Sequence, residues 1–234
     1  MKKDSDKAVV FSNGAIDPHK RTPPVFMRRT WAGNVDGNCI VVDDRTIHNN
    51  GLRIGWGIGT PERHYLLDMS EIIMRILSLL DVPSENVVYS GSSMGGFMSL
   101  MFSTYHRGTR AVVNNPQMFA ANYKQGKFLM KIHEKIFSKY NFDEFCGIYN
   151  NRISFLNTIQ KLNYVPQSLI VFNGESKTDS EHQYKPFLQL AKINNIDLQN
   201  IEYLIYNDVE AGHNAISKEK NVKLINAYLN KYLI

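Results

Sequence analysis

Asn86-Val87-Val88-Tyr89-Ser90-Gly91-Ser92-Ser93-Met94-Gly95-Gly96 is the stretch on which the fold turns. An apolar, strand-like run over 87–90 enters Gly-x-Ser-x-Gly and leaves into helix-like sequence over 97–105. A strand, a tight turn and a helix in that order are the setting of a nucleophile elbow, with Ser93 at its tip. The flanking glycines have a steric reason. A turn that sharp strains the backbone at the serine and leaves no room for neighbouring Cβ atoms. The pentapeptide alone is common in loops, so its meaning depends on what surrounds it.

Working outward, strand-like runs occur at 8–12, 39–42, 87–90, 111–114, 168–172 and 201–206, separated by segments of helical periodicity. This alternation predicts an α/β fold, a mostly parallel sheet with helices on both faces, as a single domain over 1–234. Several runs are continuous Val and Ile, as expected of strands covered on both faces. A helix is predicted over 61–80, with Thr60 as N-cap, Pro61 at its first position and Leu66, Met69, Ile73, Ile76 and Leu80 along its buried stripe. Another is predicted over 181–193, interrupted near Pro186, and a last one over 217–233. Residues 119–162 break the alternation with aromatic, lysine-rich, mostly helical sequence. They read as a helical insertion, either a lid over the active site or two extra packing helices.

The 234 residues are 43% hydrophobic and 21% charged, ordinary for a globular domain able to bury a proper core. No run of about 18 apolar residues could span a bilayer, and the apolar stretch after the polar start is too short for a secretory signal. A cytoplasmic protein without a membrane span is expected. Cys39 and Cys146 show no Cys-x-x-Cys pairing, so neither a disulfide framework nor a metal site is expected. The formal charge of +5 favours anionic partners modestly and does not argue for nucleic acid. Lys124, Lys127, Lys131, Lys135 and Lys139 recur between Phe128, Ile132 and Ile136, the pattern of the wet face of an amphipathic helix. The competing reading is a groove for a charged glycan or a nucleotide-bearing donor. Gly55-Trp56-Gly57-Ile58-Gly59-Thr60 lacks the third glycine of a dinucleotide fingerprint and reads as a close-packed loop near the active site. No bound cofactor is expected.

A serine hydroxyl needs a base to take its proton, and the base needs a carboxylate to hold its tautomer. His213 lies just past the strand-like run 201–206 and before the final helix, where a catalytic histidine loop belongs. Asp179 follows the run 168–172 and completes the order Ser, Asp, His. Glu175 and Asp208 are its competitors. An oxyanion hole needs two fixed N–H donors; Met94, after the nucleophile, supplies one, and Asn13 or Gly14, after the first strand, the other.

With these residues in place, the chain from about Lys7 onward resembles the α/β-hydrolase superfamily. More narrowly it resembles the bacterial polysaccharide-associated branch that includes the meningococcal serogroup A capsule O-acetyltransferase. The matching pieces are Phe11-Ser12, Gly91-Ser92-Ser93-Met94-Gly95-Gly96, Asn115-Pro116-Gln117, Asp179-Ser180-Glu181-His182 and Gly212-His213. The resemblance implies an α/β-hydrolase fold with Ser93 as nucleophile, His213 as base and Asp179 as its orienting acid. The chain begins almost at the oxyanion-loop strand, so the first strands of a full-length hydrolase sheet are expected to be missing or supplied from elsewhere. Pro23-Pro24-Val25-Phe26-Met27-Arg28-Arg29 offers Arg28 or Arg29 to an anionic substrate, and Trp56 and Gln117 are further substrate-side candidates.

The expected function is that of a serine acyl-ester enzyme, an esterase or deacetylase working through an acyl-enzyme on a small-molecule ester or an acylated polysaccharide. Transfer of acetyl from acetyl-CoA, as co-substrate, to a polysaccharide hydroxyl is the alternative with the same residues. A non-catalytic subunit of glycan machinery is the alternative of another class, against which the intact Ser, Asp and His argue. A homo-oligomer is compatible with either reading.

Overall fold

The computed structural model describes residues 5–231. Each Val- and Ile-rich run becomes a strand: β1 Ala8–Ser12, β2 Asn38–Val42, β3 Val87–Ser92, β4 Arg110–Asn114, β5 Gln167–Asn173 and β6 Ile201–Tyr206. All pair in parallel, in the order β2-β1-β3-β4-β5-β6. The chain steps from β1 outward to β2 and returns to lay β3 on the other side of β1. Loops leaving β1 and β3 therefore diverge, and the crevice at their carboxyl ends is where open α/β sheets bind ligands. Pairing of Phe11 with Ser90 brings the Ser12-Asn13-Gly14 turn beside the Gly91–Gly95 turn.

Helix α1, Tyr65–Leu79, starts later than predicted, with His64 rather than Thr60 at its N-cap. Thr60 and Arg63 close a turn on each other instead, and the Arg152 guanidinium takes the carbonyls of Ile58, Thr60 and Arg63. The buried stripe of α1 is Leu66, Ser70, Ile73 and Leu77, while Ile76 is exposed. Helix α2, Met94–Tyr105, is buried from Met94 through Thr104, as its nearly continuous apolar sequence requires. Helix α9, Lys218–Leu229, covers the opposite face of the sheet, setting Ile225, Tyr228 and Leu229 against Val9, Val88, Val112, Leu169 and Val171. Its predicted end at Leu233 lies outside the described residues.

Between β4 and β5 the sequence forms a short turn, Tyr123–Gly126, and then α3 Lys127–Ile136, α4 Phe142–Ile148, α5 Asn150–Ile153 and α6 Phe155–Leu162. Lys124, Lys127, Lys131, Lys135 and Lys139 are all exposed, with Leu129 and Ile132 buried beneath them. Phe137, Phe145, Tyr149 and Phe155 join the same apolar cluster as Trp56 and Phe97, so this segment shares the core of the domain.

After β5 come α7 Lys177–Asp179, a π-helical turn over Ser180–Tyr184, and α8 Lys185–Ile193. The irregularity sits where Pro186 predicts it. Proline has no N–H to give the His182 carbonyl, which instead accepts from Asn122 Nδ2 at 2.9 Å. No helix among the described residues is long and apolar enough to cross a membrane.

Candidate active site

Ser93 has φ 56° and ψ −123°, a conformation that L-residues rarely hold and that a nucleophile elbow imposes. The glycines around it are sterically required. A Cβ on Gly91 would stand 2.3 Å from the Gly95 carbonyl oxygen, and one on Gly95 would stand 2.6 Å from the Asn13 carbonyl oxygen. The turn is thus clamped between α2 and the loop after β1, leaving the Ser93 side chain half-buried at the crevice.

The three residues singled out by chain order meet there. His213 Nε2 lies 2.8 Å from Ser93 Oγ. Its Nδ1 lies 2.7 Å from Asp179 Oδ1 and 2.9 Å from Oδ2. Asp179 is buried, held by α7 after β5. Glu175 is exposed, and Asp208 caps its own loop by accepting from Ala211 N at 2.9 Å. With a carboxylate on Nδ1, the neutral imidazole carries its proton there and presents Nε2 as the acceptor for the serine proton.

The His213 loop itself is held by asparagines at the carboxyl ends of β4 and β5. Asn115 Nδ2 donates to the carbonyls of His213 at 3.2 Å and Asn214 at 2.9 Å, and Asn173 Nδ2 donates to that of Gly212 at 2.9 Å. Neither role was legible beforehand. The signal was present in a polar residue ending each apolar strand, the position from which α/β sheets build sites. Tyr123, from the insertion, places its ring 5.8 Å from that of His213.

Next to Ser93, Met94 opens α2, and the first N–H groups of a helix have no partner within it. Its helix end also favours negative charge. The Asn13 side chain is engaged in the loop, donating to Val25 O and Asp43 Oδ1 and accepting from Met27 N, which fixes the backbone of Asn13 and Gly14. Of the two arginines, Arg29 is exposed, whereas Arg28 reaches the elbow. Arg28 Nη2 donates to Ser92 Oγ at 2.6 Å and Nη1 to Ser12 O at 3.1 Å. Burial brings its guanidinium down to about 10, and among the described residues no carboxylate forms an ion pair with it.

Trp56 and Gln117, expected on the substrate side, are both fully buried. Gln117 Nε2 donates to Ser93 Oγ at 3.0 Å, and Trp56 Nε1 donates to Gln117 Oε1 at 2.6 Å. Among the described residues no group of three His, Cys, Asp or Glu side chains could hold a metal ion.

No protein-family model matches the chain, and no curated protein sequence matches it. Solved structures do. The capsule O-acetyltransferase of Neisseria meningitidis serogroup A superposes with a TM-score of 0.70 at 14% identity, over 98% of this chain and 89% of that one. A mutant of that enzyme in complex with CoA superposes with a TM-score of 0.63 at 15% identity, over 98% of this chain and 88% of that one. Acetyl xylan esterase 1 from Thermoanaerobacterium sp. gives 0.57 at 14% identity, over 99% of this chain and 77% of that one. Together with the all-parallel sheet and the tight turn after β3, these likenesses identify the architecture: the chain has the α/β-hydrolase fold.

Proposed function

We propose that this protein is a serine acyl-ester enzyme acting on an acylated carbohydrate through a covalent acyl-enzyme. The observation that carries this reading is the continuous contact from Asp179 through His213 to Ser93, across three separate loops of the sheet. Ser93 Oγ attacks the acyl carbonyl while His213 Nε2 takes its proton, and Asp179 stabilises the imidazolium. The oxyanion is received by the Met94 N–H and by that of Asn13 or Gly14. Collapse expels the alcohol, which takes the proton from His213, and leaves the acyl group on Ser93. A second hydroxyl, from water or a sugar, gives its proton to His213 and attacks the ester, and the departing Ser93 Oγ takes that proton back as the tetrahedral intermediate collapses. The positive charge of Arg28 beside the elbow, which meets no carboxylate among the described residues, suits a substrate carrying negative charge near the acyl group.

Transfer of acetyl from acetyl-CoA to a glycan hydroxyl is the second reading. It is favoured by the likeness to the capsule O-acetyltransferase, one structure of which is a complex with CoA; this is an analogy of fold. The experiment is to supply acetyl-CoA or an acetylated xylo-oligosaccharide, with and without an anionic oligosaccharide acceptor, and to follow acetate and acetylated sugar. Acetate release from the acetylated sugar supports the esterase reading, and acceptor-dependent use of acetyl-CoA supports transfer. Neither activity, with the protein folded, would contradict both.

A further inference from the structure

We propose that Gln117 is a catalytic residue, an amide that fixes the proton of Ser93 and steadies the charge on its oxygen, and that Trp56 is the positioning residue that orients it. The proposal rests on the acyl-enzyme reading above and adds a fourth and fifth member to its machinery.

The argument is one of donors and acceptors. An indole N–H can only donate. Trp56 Nε1 stands 2.6 Å from the Gln117 side chain in a fully buried contact, so the atom it meets must be the amide oxygen. That settles the amide orientation on chemical grounds, since the alternative would set two donors against each other. The NH₂ end of Gln117 then faces Ser93 Oγ at 3.0 Å and has no acceptor capacity to offer it. Ser93 must accept on that side. Its own proton is left to His213 Nε2 at 2.8 Å, the one acceptor that Ser93 Oγ meets among the described residues. From the other end, Asp179 forces the Nδ1 tautomer. The hydrogen bonds from Trp56 to Asp179 thus have one consistent polarity, imposed by a donor-only group at one terminus and an acceptor-only group at the other.

The backbone supports the same geometry. Gln117 N donates to Ser93 O at 3.2 Å, and Trp56 holds φ 51°, an uncommon conformation for a large residue. Gly57 N and Gly55 N are tied down by Asp44 Oδ1 and Met94 Sδ, at 3.1 and 3.3 Å. As the Ser93 proton moves to His213, charge develops on Oγ and the Gln117 bond strengthens. When a tetrahedral intermediate collapses to free Ser93, the same N–H meets the departing oxygen. No bond to Gln117 is made or broken.

The test is the first-order acylation constant at saturating p-nitrophenyl acetate, with its half-saturation concentration, for Gln117→Leu, Gln117→Glu, Trp56→Phe and the double variant Trp56→Phe/Gln117→Leu. A hydrogen bond to a developing charge predicts acylation of Gln117→Leu slower by about 10- to 100-fold with half-saturation unchanged. Gln117→Glu keeps the acceptor for Trp56 and places a competing acceptor beside the Ser93 proton, so it is at least as slow. Trp56→Phe is slower than wild type and adds nothing in the Gln117→Leu background, because it acts through Gln117. Replacing Trp56 by benzothienylalanine keeps the ring and deletes the N–H, and it serves should a variant fail to fold; its acylation is likewise slowed. Acylation of folded Gln117→Glu or Gln117→Leu within about threefold of wild type, or multiplicative loss in the double variant, would overturn the proposal while leaving the nucleophile intact. Acylation of Ser93→Ala would overturn the nucleophile and the proposal with it.

Discussion

Ser93 and His213, the proposed nucleophile and base, sit in loops that meet at the crevice and are held by opposite means. Ser93 stands on a turn enclosed by backbone: Gly91, Gly95 and Gly96 meet Gly95, Asn13 and Pro116 at distances no Cβ tolerates, and Met94 and Trp56 beside it are fully buried. His213 stands on a loop whose residues Asn207 to Glu210 are exposed, Val209 at 79%. That loop is secured by side-chain amides of Asn115 and Asn173 rather than by packing. Steric enclosure fixes the strained group, and polar tethers fix the group that must accept and return a proton. Added bulk on the first side should therefore register as lost stability, and a cut tether on the second as lost turnover.

The largest effect tests the second side. His213→Ala removes the base and is expected to lower kcat by at least about 10⁴-fold with an unchanged melting temperature, read by steady-state kinetics and thermal unfolding. The first side breaks most directly at Gly95→Ala. With Asn13 and Ser12 carbonyl oxygens 2.6 and 2.7 Å from the new Cβ, backbone must move, and a loss of about 3 kcal/mol or more is expected in urea unfolding.

The enclosed side also carries a pH dependence. Asp44, fully buried, accepts from Thr46 N and Gly57 N through Oδ1, while its Oδ2 has no hydrogen-bond partner among the described residues. Burial raises it from 3.8 to about 6, so the folded state favours the neutral acid. Its stabilising contribution is full below the unfolded value and lost as pH rises through about 6, a change of about 3 kcal/mol. Asp44→Asn should flatten that fall when urea midpoints are compared at about pH 4 and about pH 7.5.

A smaller effect is expected when the base's tether is cut. Asn115→Ala leaves Ser93 enclosed but frees the His213 carbonyl, and kcat should fall about 10- to 100-fold through misplacement of the imidazole while acetyl-ester half-saturation holds. The smallest effect belongs to the competing acid: Glu175→Gln, at an exposed position, should change stability by no more than about 0.5 kcal/mol and leave kcat unaffected.

These contrasts also mark what was legible in the sequence. All six strands were, because a continuous Val/Ile run is a local signal, and so was the Ser, Asp, His order, because each residue lies in the segment that follows a strand of the same sheet. The start of α1 was not: Arg152, far along the chain, takes the Thr60 and Arg63 carbonyls that a helix beginning at Pro61 would need. The placing of Trp56 beneath Gln117 was equally hidden. Both residues stand out in the sequence as substrate-side candidates, but a buried hydrogen bond between residues 61 positions apart is a product of tertiary packing, and no periodicity announces it.

The most direct test of the central claim is intact-mass spectrometry after brief exposure to p-nitrophenyl acetate, on wild type and Ser93→Ala, followed by peptide mapping. The account predicts a single acetyl adduct on wild type, mapped to Ser93 and discharged on standing, and none on Ser93→Ala. An equal adduct on the alanine variant, or no adduct while nitrophenol is released at the same rate by both proteins, would contradict it.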